Sequence, residues 1–193
     1  MTLWRIMSVA LLALLLGCTS ELEPEVAQSS LEDFSLGRLI VVVDAPGKGA
    51  LSRTASDDVI NASVTNALNA QFGRFDGRGQ YILGVKVVGY VLAQPGIPVI
   101  LAPRSILLMN VLVFDPAGRK LHDDPKRLTV FEDAGGDTVV GSGYTQSAQE
   151  QLDELSSNAA IEIEKWMREN ADWFVLPPEL SELANDTVST PET

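Results

Sequence analysis

The one histidine of the chain, His122, lies beside Asp123 and Asp124 and is a candidate for acid–base or nucleophilic chemistry. A serine hydrolase places a hydroxyl nucleophile near such a histidine, and Ser142 stands between two glycines. That Gly-Ser-Gly string lacks the strand-to-helix turn that exposes a nucleophilic serine. A zinc site needs further histidine or cysteine ligands, and the chain has one histidine and one cysteine in all. We therefore expect His122 to be a solvated loop residue.

Two further loops carry residue types found at ion and nucleotide sites. Asp115, Asp123 and Asp124 offer carboxylate oxygens that suit calcium, but their spacing differs from the alternating ligands of an EF-hand loop. The string Gly47-Lys48-Gly49 follows an apolar strand, yet it lacks the glycine and the Ser or Thr that a phosphate-binding loop requires. We expect solvated turn carboxylates in the first loop and a flexible surface turn in the second, with no cofactor and no bound metal.

Cys18 ends an apolar run that follows Arg5 near the amino terminus. The run from Ile6 to Leu16 is about half the length needed to span a bilayer, so it predicts a cleaved export signal. A single cysteine in an exported chain cannot form an internal disulfide. The string Leu15-Leu16-Gly17-Cys18 resembles the lipobox of bacterial lipoproteins. This resemblance implies cleavage before Cys18 and its acylation, palmitate included.

The residues after Cys18 bear on the destination of the protein. Thr19 and Ser20 follow the cysteine, and no Asp stands there. Resemblance to sorted lipoproteins therefore implies an outer-membrane protein that faces the periplasm, held to the bilayer through Cys18. Several acyl chains hold a protein firmly, whereas one chain anchors it only marginally. The alternative is an ordinary signal peptide that happens to contain a cysteine.

Charge and length limit the class of protein. The 193 residues carry a formal net charge of −12 at pH 7, and an acidic surface repels nucleic-acid phosphates. About 175 residues remain after the leader, which suits one compact domain with polar tails. We expect a signal peptide over 1–17, a flexible tether over 18–36, one periplasmic domain over 37–176 and an acidic tail over 177–193.

The hydrophobic patterns predict four strands. Leu39 to Val43 is a continuous β-branched run, which suits a central strand buried on both faces. Tyr81 to Ala93 is rich in strand-forming residues but interrupted by glycines, as in a bent strand. Ser105 to Phe114 predicts a third strand and Arg127 to Glu132 a fourth. The turn residues Asp115-Pro116-Ala117-Gly118 predict a hairpin between these last two strands.

Two helices complete the pattern. Ser56 precedes two aspartates that favour the positive end of a helix dipole, and Gly73 ends the apolar periodicity that follows. A longer amphipathic helix begins near Ser147. The order strand, helix, strand, strand, strand, helix predicts an α+β two-layer sandwich, in which both helices cover one face of a mainly antiparallel four-stranded sheet.

The predicted fold leaves the second face of the sheet uncovered. The first and third strands are apolar on both faces, but only two helices are available. The opposite face must therefore meet the proline-containing loop after the second strand, the Trp173-Phe174-Val175-Leu176 segment or another chain. We expect Trp173 and Phe174 to pack on their own domain.

The loop between the second and third strands is apolar for a surface loop. It contains Ile97, Val99, Ile100 and Leu101 among three prolines. Monomers seldom expose large contiguous apolar patches, so such a loop either folds over the sheet or docks a partner protein or the membrane. We expect it to cover the core, with docking as the alternative.

A small basic loop follows the first helix. Arg74 and Arg78 lie there among glycines. Arginines after a helix complement its negative carboxyl-terminal dipole, and we expect this structural role. Contact with an anionic lipid head group or an acidic partner is the alternative, so both arginines are candidate partner or ligand residues.

The layout, with the phrases at residues 113–119 and 141–146, resembles small uncharacterised or auxiliary lipoproteins of the Gram-negative envelope. The resemblance implies a non-catalytic role and transfers no active-site residue. We expect an assembly or transport accessory that acts by contact with an unidentified envelope protein. The alternative is a module that binds a lipid or another apolar small molecule between the sheet and the second helix, and a hydrolase around His122 is the third hypothesis. The oligomeric state stays open.

Overall fold

In a computed structural model, the described residues are 31–94, 104–132 and 146–175. They form four strands and two α-helices in the order β-α-β-β-β-α, followed by a short 3-10 helix. The strands are β1 (Phe34–Lys48), β2 (Gly79–Val91), β3 (Ile106–Phe114) and β4 (Lys126–Phe131). The helices are α1 (Asp57–Phe72), α2 (Ala148–Glu169) and the 3-10 helix Ala171–Phe174. The predicted α+β fold class is confirmed.

The four strands lie side by side in the order β1-β2-β3-β4. β1 runs parallel to β2, and α1 is the crossover that such a parallel connection requires. The pairs β2–β3 and β3–β4 are antiparallel. The sheet is therefore mixed but mainly antiparallel, as the order of the elements predicted.

Both α-helices begin at the predicted serines. The side chain of Ser56 accepts a hydrogen bond from the Val59 amide. Ser147 and Glu150 form a reciprocal capping box, in which the Ser147 amide donates to the Glu150 carboxylate at 2.7 Å. Hydrogen bonds from the backbone and then the side chain of Ser147 lower the pKa of Glu150. Polar residues just before the apolar periodicity thus set both helix starts.

The core lies between the helices and one face of the sheet. Apolar residues at alternate positions of β2 and β3 are 0 to 3% exposed there: Tyr81, Leu83, Val85, Val87, Leu107, Met109, Val111 and Val113. Phe34, Phe72 and Phe174 close one end of this layer with edge-to-face ring contacts at 5.4 to 5.9 Å. The apolar side chains at alternate strand positions and those on one side of each helix therefore pack together in one core layer.

Two predictions about the first strand are wrong. Among the described strands β1 is an edge strand, and Ile40 and Val42 are 45% and 42% exposed. A continuous run of β-branched residues occurs in edge strands and in central strands, so the pattern alone could not predict the position of β1 in the sheet. The predicted tether boundary at residue 36 lies inside β1. Leu31 and Phe34 are 4% and 1% exposed, so the folded domain begins before residue 37.

Candidate contact surface

His122 is held by hydrogen bonds to its own loop and to β3. The Val113 amide donates to His122 Nε2 at 3.1 Å. With Nε2 as the acceptor, Nδ1 is the ring nitrogen that can donate. Nδ1 lies 2.7 Å from the carbonyl oxygen of Asp124 and donates to it. Both ring nitrogens are therefore engaged with the backbone.

The His122 ring is also packed between two tryptophans. It stacks on Trp173 at 5.2 Å between ring centroids and meets the edge of Trp166 at 5.1 Å. Lys126 lies over the Trp166 ring at 5.9 Å. The prediction of a solvated loop residue is wrong, because the tryptophans that enclose the ring come from distant parts of the sequence. Through these ring contacts, His122 packs the β3–β4 loop against α2 and the 3-10 helix.

Asp115 organises the hairpin turn that the sequence predicted. Its carboxylate accepts the Arg119 amide at 2.8 Å and the Arg119 guanidinium at 2.7 Å. Burial acts to raise the pKa of Asp115, but the hydrogen bonds and charge of Arg119 outweigh it, so the pKa is lowered. Gly118 has φ +80°, which glycine adopts without strain. This carboxylate is a turn element.

The candidate metal and phosphate residues lie apart in the structure. Within the described ranges, no group of three or more His, Cys, Asp or Glu side chains is placed to hold a metal ion. Gly47 and Lys48 continue β1 and pair with Gly89 and Tyr90, and the Gly49 amide donates to the Tyr90 carbonyl at 3.0 Å. The predicted flexible turn at residues 47–49 is therefore wrong, because its backbone is tied to β2.

The two candidate arginines of the basic loop are paired within the domain. Arg74 contacts Glu164, which also receives Arg168 at 2.8 Å. Arg78 lies 3.0 Å from Asp33. Both side chains stay about half exposed, at 54% and 43%. Their charges stabilise the domain, and their role toward a partner stays a prediction.

The second face of the sheet, which we call the open face, is not covered by any described element. Side chains alternate along each strand, so the register assigns every residue to the covered or the open face. The strand-paired residues of the open face, with Val88 at the irregularity of β2, are Ser35, Arg38, Ile40, Val42, Gly47, Gln80, Ile82, Gly84, Lys86, Gly89, Val91, Ile106, Leu108, Asn110, Leu112, Phe114, Arg127, Thr129 and Phe131.

Exposed apolar side chains are concentrated on the open face. Nine large hydrophobic residues of the described part are exposed, and five of them lie here. These five are Ile40, Val42, Val88, Leu108 and Phe131, each 37 to 48% exposed. The grouping of exposed apolar side chains on one face makes the open face the candidate contact surface.

Two apolar side chains of β3 lie beside glycines of β2 on the open face. At Gly84 an added Cβ would lie 3.4 Å from the Phe114 ring, and at Gly89 it would lie 3.2 Å from the Leu108 side chain. Phe114 and Leu108 therefore occupy space that larger side chains at the two glycines would take. Apolar side chains thus extend from β3 onto β2.

Three cations and no acidic residue are strand-paired on the open face. Exposed Asp44, two residues beyond Val42, and Lys120, opposite Phe114, lie at its ends. Arg38 is on β1, Lys86 on β2 and Arg127 on β4. Lys86 pairs with Asn110, which pairs with Arg127, so these three residues form one row across the sheet. This basic character contrasts with the net charge of −12 of the chain.

The sequence predicted an uncovered face but not which residues form it. Trp173 and Phe174 pack on their own domain, as predicted, on the covered face. The missed signal is the alternation of Arg38, Ile40 and Val42 with half-buried residues along β1. Reading that strand with period two would have identified the open face.

Several predicted residues lie outside the described ranges. These are Cys18 with its lipobox, Ile97, Val99, Ile100, Leu101, Ser142 and the tail over 177–193. Within the described part, no helix combines the length and the apolar character needed to cross a membrane.

Solved structures of three bacterial proteins resemble this chain. A Xanthomonas campestris protein described as family DUF330 has 14% identity and a TM-score of 0.42, covering 72% of this chain and 89% of its own. A candidate lipoprotein of Caulobacter crescentus has 17% identity and a TM-score of 0.37, covering 76% and 93%. A minor lipoprotein of Acinetobacter baumannii has 16% identity and a TM-score of 0.31, covering 69% and 94%. No protein-family model and no curated protein matches the sequence.

Proposed function

We propose that this protein is a lipid-anchored, periplasm-facing lipoprotein of the bacterial outer membrane. It serves as an assembly or transport accessory that binds another envelope protein through the open face of its sheet, without catalysing a reaction. The observation that carries this proposal is the uncovered apolar face, where five exposed hydrophobic side chains meet three cations. Protein interfaces combine an apolar centre with arginine and hydrogen-bonding groups in this way.

The arrangement of the polar candidates supports a role based on contact. The ring nitrogens of His122 bond to Val113 and Asp124, and the carboxylate of Asp115 bonds to Arg119. A general base needs a ring nitrogen within reach of the proton that it removes. These groups instead hold the β3–β4 loop against the helix layer.

The alternative of a small-molecule site between the sheet and α2 has less support. Leu152, Leu155 and Ile163 of α2 are fully buried against the sheet. A ligand in that layer would have to displace these side chains from a packed core, which is costly. Removing a leucine from such a core costs about 2 to 5 kcal/mol.

The anchor is tested by replacing the predicted acylation site. The variant Cys18→Ser is expected to leave the membrane fraction, because it has no thiol to acylate. Mass spectrometry of the mature amino terminus should find acyl chains on the wild-type protein. Ser20→Ala is the matched control and should remain with the membrane. A wild-type chain that carries an unblocked thiol at residue 18 would refute the anchor.

The contact surface is tested by photocrosslinking in intact cells. A photoreactive residue at position 42, on the open face, is expected to form an adduct with another protein. The same residue at position 161, exposed on α2, is the control and should give none. Val42 and Ile161 are 42% and 54% exposed, so accessibility does not separate them. Equal protein adducts from both positions, or none from position 42, would count against the open face.

A further inference from the structure

We infer that the occupant of the open face is an acidic protein surface that places carboxylates opposite Arg38, Lys86 and Arg127. This inference rests on the proposed function, since it names the chemistry of the partner that binds the same face. It follows from the charge, the burial and the spacing of the groups on that face.

The three cations are set apart from the paired arginines of the domain. Within the described residues, Arg38, Lys86 and Arg127 form no hydrogen bond or ion pair with another side chain. Four other arginines each contact a carboxylate: Arg74, Arg78, Arg119 and Arg168. Lys165 on α2 also has no ion pair among the described residues, so the distinctive feature of these three cations is that they share one apolar face.

Like charge argues against a second copy of the chain on this face. Two open faces packed together would bring six cations into one interface, and none of the residues paired with them across the strands is acidic. Juxtaposed like charges cost several kcal/mol at an interface. The occupant must instead carry the opposite charge.

The spread of the cations and the burial of the apolar side chains favour a protein over a bilayer. Basic sites for anionic lipids use clusters of about 4 to 8 Lys or Arg residues. The paired strands of the open face carry three, spread over β1, β2 and β4. Membrane-bound surfaces insert apolar groups about 5 to 10 Å into the head-group region. Leu108 and Phe131 are 37% and 48% exposed, so each is more than half buried and does not project as an inserted group would.

The row across the sheet fixes the spacing of the complementary groups. Lys86 on β2 and Arg127 on β4 flank Asn110 on β3. Neighbouring strands lie about 4.8 Å apart, so the two cations start from backbones separated by about 10 Å. The partner would present two carboxylates at a similar spacing, with apolar side chains opposite Val42 and Leu108 and a hydrogen-bonding group opposite Asn110.

The test reverses charges in the full acylated chain that carries the photoreactive residue at position 42. Lys86→Glu with Arg127→Glu reverses two charges on the open face. Lys48→Glu with Lys165→Glu is the matched control, since it changes the net charge equally at positions off that face: Lys48 pairs with the buried Tyr90, and Lys165 lies on α2. The open-face pair is expected to lower the yield of the protein adduct about tenfold or more, and the control pair less than about twofold. Replacing acidic residues of the captured protein by lysine should restore the adduct with the open-face pair.

Four outcomes overturn the inference. If the yield of the protein adduct is unchanged by Lys86→Glu with Arg127→Glu, a protein binds the open face without depending on acidic residues. A lipid adduct would identify the bilayer as the occupant, and an adduct with a second copy would identify self-association. An adduct lowered equally by both pairs would reflect net charge alone. The proposed function fails in a different way, since then no protein adduct forms from position 42 even in the unmodified chain.

Discussion

The two faces of the sheet share the same strands but meet different surroundings. Along β3, Leu107 and Met109 are 0% and 1% exposed beneath the helices. Leu108, between them in the sequence, is 37% exposed on the open face. The covered face is closed by the protein's own helices, whereas nothing in the described part closes the other. An apolar surface that the described helices do not cover is the observation on which the proposed contact with a partner rests.

The two faces also differ in charge. α1 carries two acidic residues and no basic one, and α2 carries six acidic and two basic residues. The strand-paired residues of the open face include three basic residues and no acidic one. The domain is therefore polarised across the sheet, with an acidic helix layer and a basic open face. An acidic partner would be repelled from the helices and steered to the sheet.

The largest expected effect separates two adjacent leucines of β3. Leu107→Ala should lower the free energy of unfolding by about 3 kcal/mol, because it leaves a cavity in the core. Leu108→Ala should cost less than about 1 kcal/mol, because the side chain is already part exposed. Urea unfolding of both variants measures the difference. Equal losses would mean that the open face is covered as well as the helix face.

The next effect concerns the loop that His122 fastens to the covered side. His122→Ala should lower the free energy of unfolding by about 2 kcal/mol, because it removes ring contacts with Trp166 and Trp173 and leaves the Val113 amide without its acceptor. Urea unfolding followed by tryptophan fluorescence measures the loss. Asp123→Ala in the same loop is the control and should change stability little. A His122 variant as stable as the control would restore the solvated-loop interpretation.

A smaller effect depends on pH. Asp115 has a lowered pKa in the folded state. Its carboxylate therefore stabilises the fold at pH values above the unfolded pKa of about 3.9. This stabilisation is lost as the pH falls through the lower pKa of the folded state. Asp115→Asn should therefore be less stable than the wild type by about 1 kcal/mol at pH 7 and nearly equal to it under strong acid. Unfolding of both proteins from pH 7 down to pH 2 tests this. A difference that does not shrink in acid would assign the loss to turn geometry.

Local signals predicted the elements well because they act over a few residues. Ser56 and Ser147 marked the helix starts, and the residues Asp115 to Gly118 marked the hairpin. The number of helices also predicted that one face of the sheet would be left uncovered. These features depend on capping, turn and periodicity rules that need no tertiary contacts.

Features set by distant contacts could not be predicted in the same way. The place of His122 depends on Trp166 and Trp173, which are more than forty residues away in the sequence. The run at Leu39 to Val43 has the residue types of a central strand, although β1 has a neighbouring strand on one side only. The residue types of a strand do not show whether a second neighbouring strand is present. The row of Lys86, Asn110 and Arg127 needed the strand register, which no single segment specifies.

The smallest expected effect on stability comes from the pair Lys86→Glu and Arg127→Glu. Exposed charges away from caps and packed contacts usually change the free energy of unfolding by less than about 0.5 kcal/mol. Neither side chain has an ion pair in the described part of the chain, so folding loses no partner when its charge is reversed. Chemical denaturation should therefore give curves that overlap for this pair, the Lys48 and Lys165 control pair and the wild type. A large loss would mean that these cations stabilise the domain, and the basic character of the open face would then need no partner to explain it.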